Sequence, residues 1–180
     1  MNSYNALKGM KAMQKTASPF WTFSLSFYRM DGVAPACIEV QDKAGVDVNI
    51  LLFVLFLASR GRALQTADVA DIDTALKGWR DDVVIPLRAV RRVLRTPEKT
   101  VDPAQVAALR ERIKAVELEA ERLQQEALYA LRPPEAWGAA QTPALAGAAN
   151  VAAYAAWLGA DLPAAAIETM LRQLPLVEVT

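Results

Sequence analysis

There is no histidine anywhere in this 180-residue chain. That absence removes serine and cysteine hydrolase triads of the usual kind, histidine general bases and most zinc sites. It also removes the Glu-x-x-His di-iron arrangement that helical bundles often carry. Cysteine is nearly absent too. Cys37 stands alone, so no intramolecular disulfide is available and a cytoplasmic setting is the economical expectation. Net charge is the third lack: Lys plus Arg and Asp plus Glu each total 20, which leaves no global field to draw in nucleic acid or an anionic membrane. Any such binding has to come from a local patch. No stretch reaches the roughly 20 consecutive apolar residues of a membrane span, and the opening residues lack the continuous apolar run of a secretory signal. Chemistry is left to carboxylates, Lys, Tyr, Cys37 or a borrowed cofactor. None of these forms a recognisable set, so no catalytic residue, metal site or cofactor is expected.

What is present is helical patterning. Between Gly45 and Gly61 lies a run in which Ile50 to Ala58 carries no polar side chain on any face. A helix apolar all round must be covered on every side. Asp47 is placed to cap its first turn and Gly61 to close it, which predicts a central helix over about 48–59. Ser18-Pro19 opens an earlier helix with two apolar faces, Phe20, Phe23, Phe27 and Met30 on one and Trp21, Leu25 and Tyr28 on the other. Pro35 is expected to begin a short helix to Lys43, with Cys37, Ile38 and Ala44 turned inward and Glu39, Asp42 and Lys43 outward.

After a linker, Thr66 reads as the cap of a long helix with the stripe Val69, Ile72, Leu76, Trp79, Val83, Leu87, Val90 and Leu94. Pro86 interrupts it and predicts a kink or a break. Asp102-Pro103 starts the next helix, whose inward stripe is expected at Val106, Leu109, Ile113, Val116, Ala120, Leu123 and Ala127. The two make an antiparallel hairpin of residues 67–95 and 103–131. Beyond Trp137 the composition turns to alanine. Thr142-Pro143 opens a helix to Gly159 with Leu145, Ala148, Val151, Ala155 and Leu158 inward, and Pro163 opens a last one bearing Ile167, Met170, Leu171 and Leu174. The expected architecture is all-α, a single bundle of about seven helices. Residues 1–17 form a tail, 18–131 the core with its hairpin, and 132–180 an Ala-rich helical pair packed on that core.

One combination of residues is distinctive. Phe20-Trp21-Thr22-Phe23 with Phe27-Tyr28, Gly32-Val33, Gln41-Asp42 and Gly45-Val46-Asp47-Val48-Asn49 precede the apolar helix. Trp79-Arg80, Val83-Val84-Ile85-Pro86-Leu87-Arg88 and Arg91-Arg92 follow it. Over roughly Ser18 to Arg95 the chain resembles a proteobacterial family of small proteins known only as a domain of unknown function. The resemblance implies a soluble bacterial protein and supplies no activity or catalytic residue.

Two surfaces are candidates for function. Arg88, Arg91, Arg92 and Arg95 fall at i, i+3, i+4 and i+7, so they share one helix face suited to phosphate, an acidic protein or an RNA backbone. Equally, they would offset the helix dipole and pair with Glu111, Glu117 or Glu121 of the next helix. The second surface is Trp21, Leu25 and Tyr28, with Trp79, which would line a slot for a lipid-like molecule or simply be core. The carboxylates Glu39, Asp42, Asp47, Asp68, Asp71, Asp73, Asp81 and Asp82 lack the Asp-Asp-x-x-Asp spacing of diphosphate sites, and Cys37 reads as a buried spacer. From the residues alone, an interaction module using the arginine face for an acidic or phosphate-rich protein ranks first. A binder or enzyme for a hydrophobic small molecule ranks second, and RNA or ribosome association third.

Overall fold

In the computed structural model, residues 17–96, 98 and 100–174 are described, so the expected N-terminal tail lies outside them but for Ala17. The helices are α1 (Pro19–Tyr28), α2 (Val33–Ala44), α3 (Val48–Ser59), α4 (Thr66–Trp79), α5 (Ile85–Val93), α6 (Pro103–Leu131), α7 (Pro143–Leu158) and α8 (Ala164–Gln173). The one sheet among the described residues is a two-residue antiparallel bridge, β1 (Arg62–Ala63) with β2 (Ala139–Ala140). The fold is an all-α bundle.

The apolar run forms α3, and every residue from Asn49 to Ala58 is buried. Asp47 Oδ1 accepts from the amides of Asn49 (2.8 Å) and Ile50 (3.4 Å), and Gly61 takes a positive φ just past the end. Helices α1, α6 and α7 pack directly on α3, while α8 packs on α2. Phe20 and Phe23 of α1 meet Phe53 and Phe56 edge-on at 5.0 and 5.5 Å, and Trp137 closes on Phe53 at 6.1 Å.

Pro86 neither breaks nor ends its helix. Its missing N–H leaves the Asp82 carbonyl without an α-helical partner, and the strain is taken up one turn earlier. There Arg80–Val84 forms a π turn in which the Ile85 amide bonds the Arg80 carbonyl, and α4 runs into α5 as one rod. Counted as rods, the described residues hold seven. The extra residue of the π turn rotates everything downstream by about 100°. Val84 is therefore buried where the stripe predicted Val83, and Arg88 and Arg91 turn toward α6.

Other inward assignments also differ. Helix α2 starts at Val33, before Pro35, and buries Val33, Ala36, Cys37 and Val40 while Ile38 is exposed. Gln65 rather than Thr66 caps α4, because Asp68 reaches back to the Gln65 amide (2.8 Å). On α6 the expected apolar stripe is half outside: Leu109, Val116 (52% exposed) and Leu123 face solvent. The buried face carries Glu117, Gln124 and Gln125 instead. On α7, Leu145 (59% exposed) and Ala148 are outside while Asn150 and Tyr154 are inside. The reason is hydrogen bonding. Asn150 Nδ2 donates to the carbonyls of Val54 (2.8 Å) and Arg62 (3.0 Å), and its Oδ1 accepts from the Leu64 amide (2.6 Å). It satisfies three backbone groups where α3 gives way to β1, which no leucine can do.

Asn150→Leu should thus leave buried backbone groups unpaired and lower unfolding stability by about 3 kcal/mol. Leu145→Ala, on an exposed position of the same helix, should change it by less than about 0.5 kcal/mol. Urea titration of both variants checks this; equal effects would show that Asn150 is not what anchors α7.

Candidate functional site

The aromatic face and the arginine row, separate in the sequence, border one cleft of about 690 Å³. Helices α1, α2 and the first turns of α3 supply its apolar side through Trp21, Leu25, Tyr28, Ile38, Val48 and Leu52. Across from them α5 and the residues just after it bring Arg88, Arg91, Arg92 and Arg95, and α6 brings Lys114, Glu117, Glu121 and Gln125. Six cationic residues and three carboxylates border the cleft, so a chain without net charge carries a local positive field here. Trp79 is not part of it. Its indole N–H donates to the Ala120 carbonyl (3.0 Å), pinning the π turn to α6.

The four arginines are not equivalent. Arg88 bonds Glu117 Oε1 through Nε (3.3 Å) and Glu121 Oε1 through Nη2 (2.7 Å). Arg91 clamps Glu117 through two nitrogens, Nη2 to Oε1 at 3.0 Å and Nε to Oε2. Glu111, the third expected partner, pairs with Arg110 and Lys114 instead. Arg92, whose side chain is 54% exposed, makes a contact of 3.5 Å with the exposed Asp42, and Arg95 is exposed at the mouth. Two arginines are thus spent on holding the hairpin together, and two remain at the rim.

The two carboxylates respond differently. Burial pushes Glu117 up, but the Arg91 and Arg88 guanidiniums outweigh it and hold its carboxyl below the usual range. Burial also pushes Glu121 up and there prevails over Arg88, leaving it above that range. Tyr28 is raised as well, by burial first and then by Cys37 and Glu121. Cys37 is fully buried and its thiol is pushed up to about 12 by burial, which makes it a poor nucleophile.

Behind the cleft runs a buried polar ladder between α3 and α6. Gln124 Nε2 donates to Asp47 Oδ2 (3.0 Å), Asn49 Nδ2 to Gln124 Oε1 (2.9 Å), and Gln125 Nε2 to Asn49 Oδ1 (2.8 Å). Asp47 also has the Tyr154 hydroxyl on its backbone and lies 3.8 Å from Arg80, which is held by Asp73 and Asp81. The aspartates expected near the entry to α3 and the start of the hairpin are accounted for: Asp47 and Asp73 converge on Arg80, Asp68 caps α4, and Asp71 pairs with Arg132. No group of three or more His, Cys, Asp or Glu residues able to hold a metal occurs among the described residues. Sequence periodicity passed over Ser24, Gln124 and Gln125, because polar residues between apolar ones read as an outer face. The one signal was Asn49, a polar side chain inside the run Val48 to Ala58.

Comparison with known proteins adds a family. A family model described as "Protein of unknown function (DUF2390)" matches residues 19–128. The match runs from α1 through most of α6 and takes in every helix that borders the cleft, leaving α7 and α8 outside. No curated protein and no solved structure matches the chain. No described helix is long and apolar enough to cross a membrane.

The carboxylates generate a pH prediction. Glu117 is ionised more readily in the fold than in the unfolded chain. Its contribution is present above the ordinary carboxylate value of ~4.3 and is lost as pH falls through its lower folded value. Glu117→Gln should therefore cost about 2 kcal/mol at neutral pH and less at about pH 3. Glu121 has the opposite sign, since its charged form is the one the fold disfavours. Glu121→Gln should be neutral or stabilising at neutral pH, with the difference fading as pH falls. Urea unfolding at both pH values reads the two signs.

Proposed function

We propose that this chain, which belongs to the DUF2390 family of proteins of unknown function, is a cytoplasmic bacterial binding protein for an amphipathic small molecule with an anionic group. The observation that supports this is the convergence of Trp21, Leu25 and Tyr28 with the rim arginines on one cleft. Its volume lies within the ~300–1,000 Å³ of small-molecule sites. An apolar chain would lie against Trp21, Leu25 and Leu52, and an acidic group would sit between Arg92, Arg95 and Lys114. Glu117 and Glu121 fix Arg88 and Arg91 and so hold α5 against α6, which leaves Arg92 and Arg95 as the arginines open to a ligand at the rim.

A second reading is docking of an acidic or phosphate-rich protein on the same arginine face. It draws on the exposure of Arg92 and Arg95 and on Val90 and Val93 beside them, apolar residues that stay exposed among the described residues. RNA binding through that face has no exposed aromatic side chain on α5 to stack bases.

Calorimetric titration with dodecanoate and with dodecanol tests the first reading. Dodecanoate should bind, dodecanol about ten-fold or more weaker, and Arg92→Glu with Arg95→Glu should remove that preference. Leu25→Glu, which puts a carboxylate on the apolar side, should abolish binding of both. Failure of dodecanoate to bind would overturn the reading. A partner retained from lysate by the native chain and lost with the charge reversal would then favour the second.

A further inference from the structure

Leu109, Val116 and Leu123 of α6 are 38 to 52% exposed and stand seven residues apart. At about 100° per residue they fall within about 40° of one another. The cleft-lining Lys114, Glu117, Glu121 and Gln125 centre about 150° further round the helix, so the stripe lies on the far side of α6 from the cleft. Half-buried Ile113 and exposed Ala127 continue it. Trp79 is exposed as well, and its indole is pinned to the Ala120 carbonyl, at a level between Val116 and Leu123. Apolar residues scattered singly over a surface need no explanation, but an aromatic ring beside a row of leucine and valine has the composition of a contact centre.

The spacing makes the stripe its own complement. A two-fold contact requires that residue i meets j while j meets i. Leu109 and Leu123 are each seven residues from Val116. A second α6 running antiparallel and crossing at Val116 therefore sets valine on valine and each Leu109 on the other Leu123. A seven-residue interval keeps such a seam turned to its partner when two helices cross at about 20°.

Charge follows the same symmetry. On the solvent side of the stripe, about 40 to 60° further from the buried face, lie Arg112 and Glu119. Arg110, Lys114 and Arg122 each have a carboxylate of their own chain, whereas the exposed Arg112 has none within ion-pair distance among the described residues. Glu119 is held by Arg122, yet its side chain stays 46% exposed and open to a second cation. Arg112 stands four residues before Val116 and Glu119 three after it. In the antiparallel pair the Arg112 of one copy and the Glu119 of the other thus come within about 1.5 Å of the same level, on the same side of the crossing. The pair forms twice, and Arg112 gains the carboxylate that its own chain does not supply.

We infer that the chain forms an antiparallel two-fold homodimer through this face of α6, with Val116 on the axis, Leu109 against Leu123 and Arg112 against Glu119. The contact leaves the cleft of each copy open, because the cleft is on the other side of the helix.

Sedimentation equilibrium between about 1 µM and about 1 mM tests this. The apparent mass should rise from the 19.6 kDa of one chain toward twice that value. Val116→Glu sets two carboxylates on the axis and should hold the mass at one chain throughout. Its exposed position should leave the fold intact by circular dichroism. Arg112→Glu should weaken the dimer about ten-fold or more, and adding Glu119→Arg should bring it back to within about three-fold of native. A native chain that keeps the mass of one copy at every concentration overturns the inference and leaves the stripe to a different protein. A dimer that survives Val116→Glu overturns it too, since the contact then lies elsewhere, and so does one indifferent to Arg112→Glu. None of these positions lines the cleft, so the result stands apart from the proposed function.

Discussion

A helix with no polar face has to be enclosed on all sides, and the arrangement of this molecule follows from enclosing α3. Helices α1, α6 and α7 lie on it, and Trp137 closes one flank. The enclosure is not purely apolar. The first turn of α3 carries Asn49 into the interior beside the capping carboxylate of Asp47. Unpaired, those groups would cost more than burying another leucine returns. Helix α6 therefore meets α3 with Gln124 and Gln125 and leaves Leu109, Val116 and Leu123 at the surface.

The same trade shapes the cleft. Once α6 has turned its polar side inward, Glu117 and Glu121 come with it, and the π turn before Pro86 rotates Arg88 and Arg91 to meet them. One wall is then cationic, the other aromatic, and the amide ladder lies behind them. The gap between the hairpin and α1 thus sets an apolar wall against a charged one, a property of neither helix alone. Such facing walls suit a ligand that carries both an acid and an apolar chain.

Local signals carried the elements well and the faces badly. Asp47, Ser18 and Asp102 act as caps where side-chain chemistry alone predicts, and α3 and α6 have the expected bounds. Asp47, Ser18 and Asp102 work within one turn of the chain, so no partner helix is needed to read them. Faces depend on partners. Asn150 and Glu117 are inside because backbone groups or arginines from distant segments satisfy them, and Leu145 and Val116 are outside because no element among the described residues covers them.

The amino-acid sequence alone determined the helical class, the enclosed central rod and the grouping of four arginines and three apolar residues, because periodicity and capping are short-range. Whether those two groups meet depends on the rotation of α5 and α6 about their axes. That rotation is decided by pairing polar groups up to about a hundred positions apart, among them Ser18 with Glu126 and Asn49 with Gln125. Only the tertiary structure brings such partners together, and with them the cleft.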